Sequence, residues 1–224
     1  VAVAEDHRAG ERDEYFVRRL ESFGDVVIGF SLALLALSLA VPNHARELLS
    51  HPAWFVAYVW TFAFVCSIWA SHYWTFRHVF VPTPLALLLN YAKLGLIVLL
   101  IFGVQVLLRA FEVGDGRDVM VANWLYWGCL TAYMIVAALL FAVGFRARVG
   151  MLAPEIARQC VRRIWRTALL APAMIVGLAV AAAGRPGNAA STVALFLVAG
   201  AVAGRFAAAI ATESYRKRSA QQDT

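Results

Sequence analysis

Hydrophobic positions gather into six long runs, at approximately 24–41, 54–76, 85–108, 119–143, 164–183 and 190–212, with most charged positions between them. Each run is near or above the ~20 residues an α-helix needs to cross a hydrocarbon core of about 30 Å. Strands of a membrane β-barrel would instead show as alternating stretches of about ten residues. LALLLNYAKLGLIVLLIFGVQVLL, from residue 85, is too long and too uniformly apolar for that. The pattern predicts an all-α integral membrane protein with six transmembrane helices and short connections. Its expected parts are a cytoplasmic N-terminal segment at 1–22, a six-helix domain at 23–213 and a basic cytoplasmic tail at 214–224.

Punctuation supports these boundaries. Pro42 follows the first run, and the second continues to a VPTP turn at 81–84. That second run is long enough for Arg77 and His78 to project from the membrane, and Trp54, Trp60, Trp69 and Trp74 suit interfacial belts with packing between them. Gly114 and Gly116 mark a turn. Residues 146–166 carry Arg158, Arg162, Arg163 and Arg166 after Pro154, which predicts an amphipathic segment on the membrane surface before the fifth span. GAVAG at 200–204 matches the small-xxx-small pattern, which arises easily by chance among so many Ala and Gly residues.

Composition agrees: 62% of the 224 residues are hydrophobic and 15% charged, beyond the range of a soluble domain. The basic residues are distributed unequally. With the N-terminus inside, fourteen Lys and Arg residues fall on the cytoplasmic side (Arg8, Arg12, Arg18, Arg19, Arg77, Arg146, Arg148, Arg158, Arg162, Arg163, Arg166, Arg216, Lys217, Arg218) and four opposite (Arg46, Arg109, Arg117, Arg185). Positive charge is retained inside, so both termini are expected in the cytoplasm. The net charge of +6 then reflects helix flanks facing anionic lipid, and nucleic acid is not an expected partner. No h-region precedes residue 22, so the first helix is expected to act as the insertion signal. Cys66, Cys129 and Cys160 have no metal-ligating or redox spacing, and no Walker A, GxGxxG, HExxH or GxSxG pattern occurs. No enzyme activity, metal or cofactor is expected.

The first helix carries the charged chemistry. Asp25 stands in its first turn, with Arg19 six residues before it. A carboxylate inside a membrane is costly unless it is terminal or paired. Asp25 therefore reads either as a helix-start clamp with Arg19 or as a proton or cation site with Ser71, His72, Asn90 and Lys93 as polar neighbours. Beyond it run two stripes, Gly29, Ala33, Ala36 and Ala40, and Phe30, Leu34, Leu37 and Val41. The first suits close helix approach, and the second offers bulky apolar side chains.

RLESFGD at 19–25 resembles the arginine, three residues, Phe-Ser-Asp signature of the transmembrane protein 175 potassium channels, prokaryotic members especially. Trp69, His72 and Phe76 resemble that family's pattern on the second helix, and Asn90 falls where its third begins. Gly24 replaces the usual serine, and Ala33 stands where many members carry a hydroxyl. The resemblance implies a homotetramer in a prokaryotic plasma membrane, a cation channel that prefers K+ among monovalent cations. The first helix would line a central pore narrowed by Phe30, Leu34 and Leu37. Arg19, Phe23, Asp25, His72 and Asn90 would form the signature network near the cytoplasmic mouth. The other reading is a proton-coupled secondary transporter using Asp25 and His72.

Overall fold

The computed structural model describes residues 2–37, 52–113, 116–183 and 189–222. Ala40, Val41, Pro42, Arg46, Gly114 and Arg185 lie outside these residues, as do the side chains of Arg8, Arg12, Trp54, Trp60, Arg216, Lys217 and Arg218. The described residues form six helices, α1 (Ala2–Leu37), α2 (Pro52–His78), α3 (Pro84–Val113), α4 (Gly116–Arg148), α5 (Pro154–Ala183) and α6 (Ala189–Gln222).

Three described stretches are long and apolar enough to span a membrane: Glu14–Leu37, Pro84–Ala110 and Gly116–Arg148. Six spans were expected; the apolar parts of α2, α5 and α6 that would supply the other three include residues whose side chains lie outside those described. Residues 2–22 of the segment expected to be cytoplasmic are helical and form the first part of α1. Likewise 146–166 is not a separate surface element. α4 runs to Arg148, residues 149–153 turn, and α5 continues unbroken to Ala183 with Pro172 inside it.

The chain divides into two compact units, Val1–Leu87 and Leu88–Thr224. In the first, α1 packs on α2. The buried face of α1 is Leu20, Gly24, Ile28, Ser31 and Leu35, at helical spacings of four and three. The matching face of α2 is Thr61, Val65, Ile68, His72, Thr75 and Phe76. Neither stripe singled out in α1 by sequence is the one that packs: Gly29, Ala33 and Ala36 are exposed, as are Phe30, Leu34 and Leu37. After α2 the chain reverses over Val79 and Phe80, both buried. Thr83 caps α3 by accepting the Ala86 N–H at 3.2 Å, with Pro84 opening the helix where its missing donor does no harm.

The second unit is a helical array in which α5 packs against both α4 and α6. On α6, Gly200, Gly204 and Ala208 recur every four residues on its buried side. A Cβ on Gly204 would stand 3.2 Å from the Arg166 Cα, and one on Gly200 would stand 2.5 Å from the Ala173 Cβ. The GAVAG match is thus a true close-approach seam, in which absent side chains let two backbones meet. Opposite, the Arg163 guanidinium lies 5.9 Å above the Phe141 ring and ties α5 to α4. The three cysteines are free; Cys160 is buried and Cys66 and Cys129 half-buried, as small apolar filler would be.

Gly204→Leu forces a side chain into backbone, so it is expected to cost about 2 kcal/mol and to lower the melting temperature in detergent. An unchanged melting curve would show that the α5–α6 seam has room to spare.

Candidate functional site: the α1–α2 seam and the outer face of α1

The seam is organised around two consecutive residues of α1. Gly24 faces the imidazole of His72 so closely that a Cβ there would overlap the ring. His72 is fully buried, and its ring continues into a column of aromatics: centroids are 4.6 Å apart to Phe76, and Phe76 stacks on Phe80 at 4.3 Å. The column gives the imidazole little freedom to turn away. Asp25, one residue on, points along the edge of the seam and accepts a hydrogen bond from the Trp69 indole Nε1–H at 2.9 Å. Trp69 in turn stacks on Tyr73, whose hydroxyl accepts from Arg77 at 2.6 Å. Packing and a directional bond therefore meet within one helical turn.

Arg19 does not clamp Asp25. Its guanidinium donates to the Tyr15 hydroxyl at 3.3 Å and lies 5.8 Å from that ring's centroid, an i,i−4 contact on the exposed side of α1. Trp69 takes the role that sequence spacing suggested for Arg19. The signal was present in sequence, since Trp69 precedes His72 by three residues and lies near it on α2. An indole N–H, however, is seldom the first partner sought for a carboxylate.

The remaining predicted residues fall in two places. Phe23, Phe30, Leu34 and Leu37 project from α1 on the side not packed against α2, and Phe30 and Leu37 are 67% and 80% exposed. Beside Phe30 lies a shallow groove of about 340 Å³ lined by Val26, Gly29, Phe30 and Ala33. The two stripes of the sequence thus form one surface, with bulky side chains next to a notch of small ones. Asn90 belongs to the second unit. It is fully buried in α3, and neither of its side-chain amide atoms has a hydrogen-bond partner among the described residues. Lys93, one turn further on, is also buried. Among the described residues no group of three His, Cys, Asp or Glu side chains could hold a metal.

The arrangement can orient a helix. It offers no nucleophile with a base, and its exposed chemistry is apolar. Trp69→Phe removes the donor to Asp25 and is expected to cost about 1 kcal/mol, below the range for a charged acceptor because both groups are exposed. Gly24→Ala should cost more, about 1–3 kcal/mol, through overlap with His72. Thermal unfolding in detergent reads both, and a Gly24→Ala protein as stable as the wild type would mean that His72 yields without cost.

Residues 19–100 match the sequence profile of the family described as endosomal/lysosomal potassium channel TMEM175. The fold is similar to that of a lysosomal potassium-selective channel TMEM175 homolog from Chamaesiphon minutus, with a TM-score of 0.60, 21% identity, and 85% of this chain and 98% of that one covered. It is also similar to a variant of the potassium channel MtTMEM175 in complex with a nanobody–MBP fusion protein, with a TM-score of 0.62, 16% identity, and 91% and 93% coverage. At such identities these two likenesses show the fold. No curated protein matches the chain.

Proposed function

We propose, from the match of residues 19–100 to the TMEM175 family profile, that this chain is an ion channel of that kind and not an enzyme, and that it conducts K+ through a pore lined by α1. The observation that carries this reading is the division of α1 into two faces. One face is packed on α2, and the other presents Phe23, Val26, Phe30, Leu34 and Leu37, each more than 40% exposed in the single chain. Copies of α1 around a shared axis, four in the proposed homotetramer, would cover that face.

Such a pore needs no resident cofactor. Rings of apolar side chains make a constriction from which water withdraws, and a dewetted constriction blocks ions without a moving plug. Phe30 would form the tightest ring, followed one and two turns on by Leu34 and Leu37. An apolar ring offers few ligands to replace lost hydration, which disfavours the more strongly hydrated Na+ relative to K+. Asp25, Trp69, Gly24 and His72 would hold α1 at the rotation that points Phe30 inward, and would not touch the ion. Arg19 and Phe23 would stand on the same side of α1 nearer the mouth. In this reading both termini face the cytoplasm of a prokaryotic cell.

A flux assay in liposomes under a valinomycin-set potential tests the proposal, with K+, Na+ and Cs+ gradients compared. Flux should follow the imposed ionic gradient and rise in Phe30→Ala by tenfold or more, the equivalent of about 1.4 kcal/mol off the barrier. Flux that requires a proton gradient and ignores Phe30 would overturn the pore and return the function to Asp25 and His72 as a proton relay. A second experiment addresses the seam. Asp25→Ala is expected to weaken the oligomer on size-exclusion chromatography, whereas an intact tetramer with altered selectivity would give Asp25 a direct ionic role.

A further inference from the structure

The corner where α4 turns into α5 has properties that ion conduction does not use. Between residues 146 and 166 there are six arginines and one acid, Glu155. Arg158 pairs with Glu155 at 2.9 Å, and Arg163 lies over Phe141. Arg146, Arg162 and Arg166 are exposed, and among the described residues no acid pairs with them. Apolar side chains stand beside them. Met151 in the turn is 87% exposed, and Trp165 is exposed on α5 between Arg162 and Arg166.

The length of α5 sets the depth of this corner. Its 30 residues extend about 45 Å, against a hydrocarbon core of about 30 Å. Its second half is apolar and can be immersed, so roughly the first ten residues lie at or beyond the headgroups. Arg162 lies just before that boundary, and Trp165 and Arg166 just after it. α4 ends at Arg148 on the same side, because only five residues separate the two helices. An indole beside guanidinium groups with unspent donors, at headgroup depth, is complementary to a phosphodiester anion above an acyl chain.

We propose that this corner binds anionic phospholipid headgroups, with Arg162 and Arg166 as the principal phosphate donors, Arg146 adding positive charge from α4 and Trp165 lying against the upper acyl chain. Its charge is opposite to the headgroup's, and the apolar residues at its edge distinguish it from a surface for a soluble anion. The proposal does not depend on conduction and is tested without it.

The protein is reconstituted in phosphatidylcholine vesicles containing phosphatidylglycerol, with brominated chains on one lipid or the other. Quenching of Trp165, isolated by comparison with Trp165→Phe, reports which lipid lies beside it. Each basic residue near an anionic surface changes partition by about fivefold. Phosphatidylglycerol should therefore be preferred over phosphatidylcholine by about fivefold or more. The preference should collapse towards one in the Arg162→Gln, Arg166→Gln double variant and survive in the corresponding Lys double variant, which keeps the charge. Should the Gln variant fail to fold, raised salt on the wild type serves instead, since exposed charges are screened. Equal quenching by the two lipids overturns the proposal, as does a preference that persists in the folded Gln variant. If millimolar inorganic phosphate abolishes the preference, the site is one for free phosphate and the lipid assignment fails.

Discussion

The rotation of α1 about its own axis is the constraint on which the site depends. Beyond Asp25 this helix is apolar or small on every side except at Ser31, so hydrophobicity gives it almost no reason to present one face rather than another. Selection comes from its first turns. Gly24 leaves a space that the His72 ring fills, and Asp25 takes the Trp69 indole N–H. A rotation of one residue, 100°, would put the Asp25 or Phe23 side chain against His72 and break the indole bond. With this end held, Ile28, Ser31 and Leu35 follow onto α2 and Phe30, Leu34 and Leu37 remain outside. Ser31 can be buried because its hydroxyl donates to the Val27 carbonyl at 2.8 Å and needs no partner from another helix.

How much of this was legible in sequence follows from what each feature needs. The helices were visible, because a long apolar run is a one-dimensional signal that length alone interprets. Helix boundaries were less so: residues 2–22 are charged and helical, and α5 crosses from basic to apolar without a break, so hydropathy placed an end where the backbone has none. The packed face of α1 was not legible. Every candidate stripe along it is apolar or small, and the decisive contact is between residues 24 and 72, on different helices. Sequence reading paired Asp25 with Arg19 by proximity along the chain, whereas Arg19 turns back to Tyr15 and the carboxylate finds Trp69. Likewise, nothing in GAVAG itself separates a seam from chance; the backbone of Arg166 opposite Gly204 does.

Two different devices hold the helices within the two units. Between α1 and α2 a small residue admits a large ring, and the aromatic column of His72, Phe76 and Phe80 backs it from behind. Between α5 and α6 small residues meet backbone and bring the helices together directly. The first device is specific in rotation, because a ring fits one notch. The second is specific in distance: it brings α6 against the backbone of Arg166 while the side chains of Arg162 and Arg166 stay exposed. Each suits what its helix presents: one apolar face kept outward in α1, and exposed arginines in α5.

Gly24 shows why a change in a signature need not dissolve the arrangement it marks. The usual serine supplies a hydroxyl, and glycine removes it. In this chain the same change opens the space that His72 occupies, and overlap with a Cβ at that position shows that the two features are coupled. The contact at Gly24 depends on close packing, which is intolerant of added volume. Directional information passes to the neighbouring Asp25–Trp69 bond. A seam built in this way resists electrostatic perturbation at residue 24 while staying sensitive to any substitution that moves the Trp69 indole, and through it the rotation of every residue of α1 beyond it.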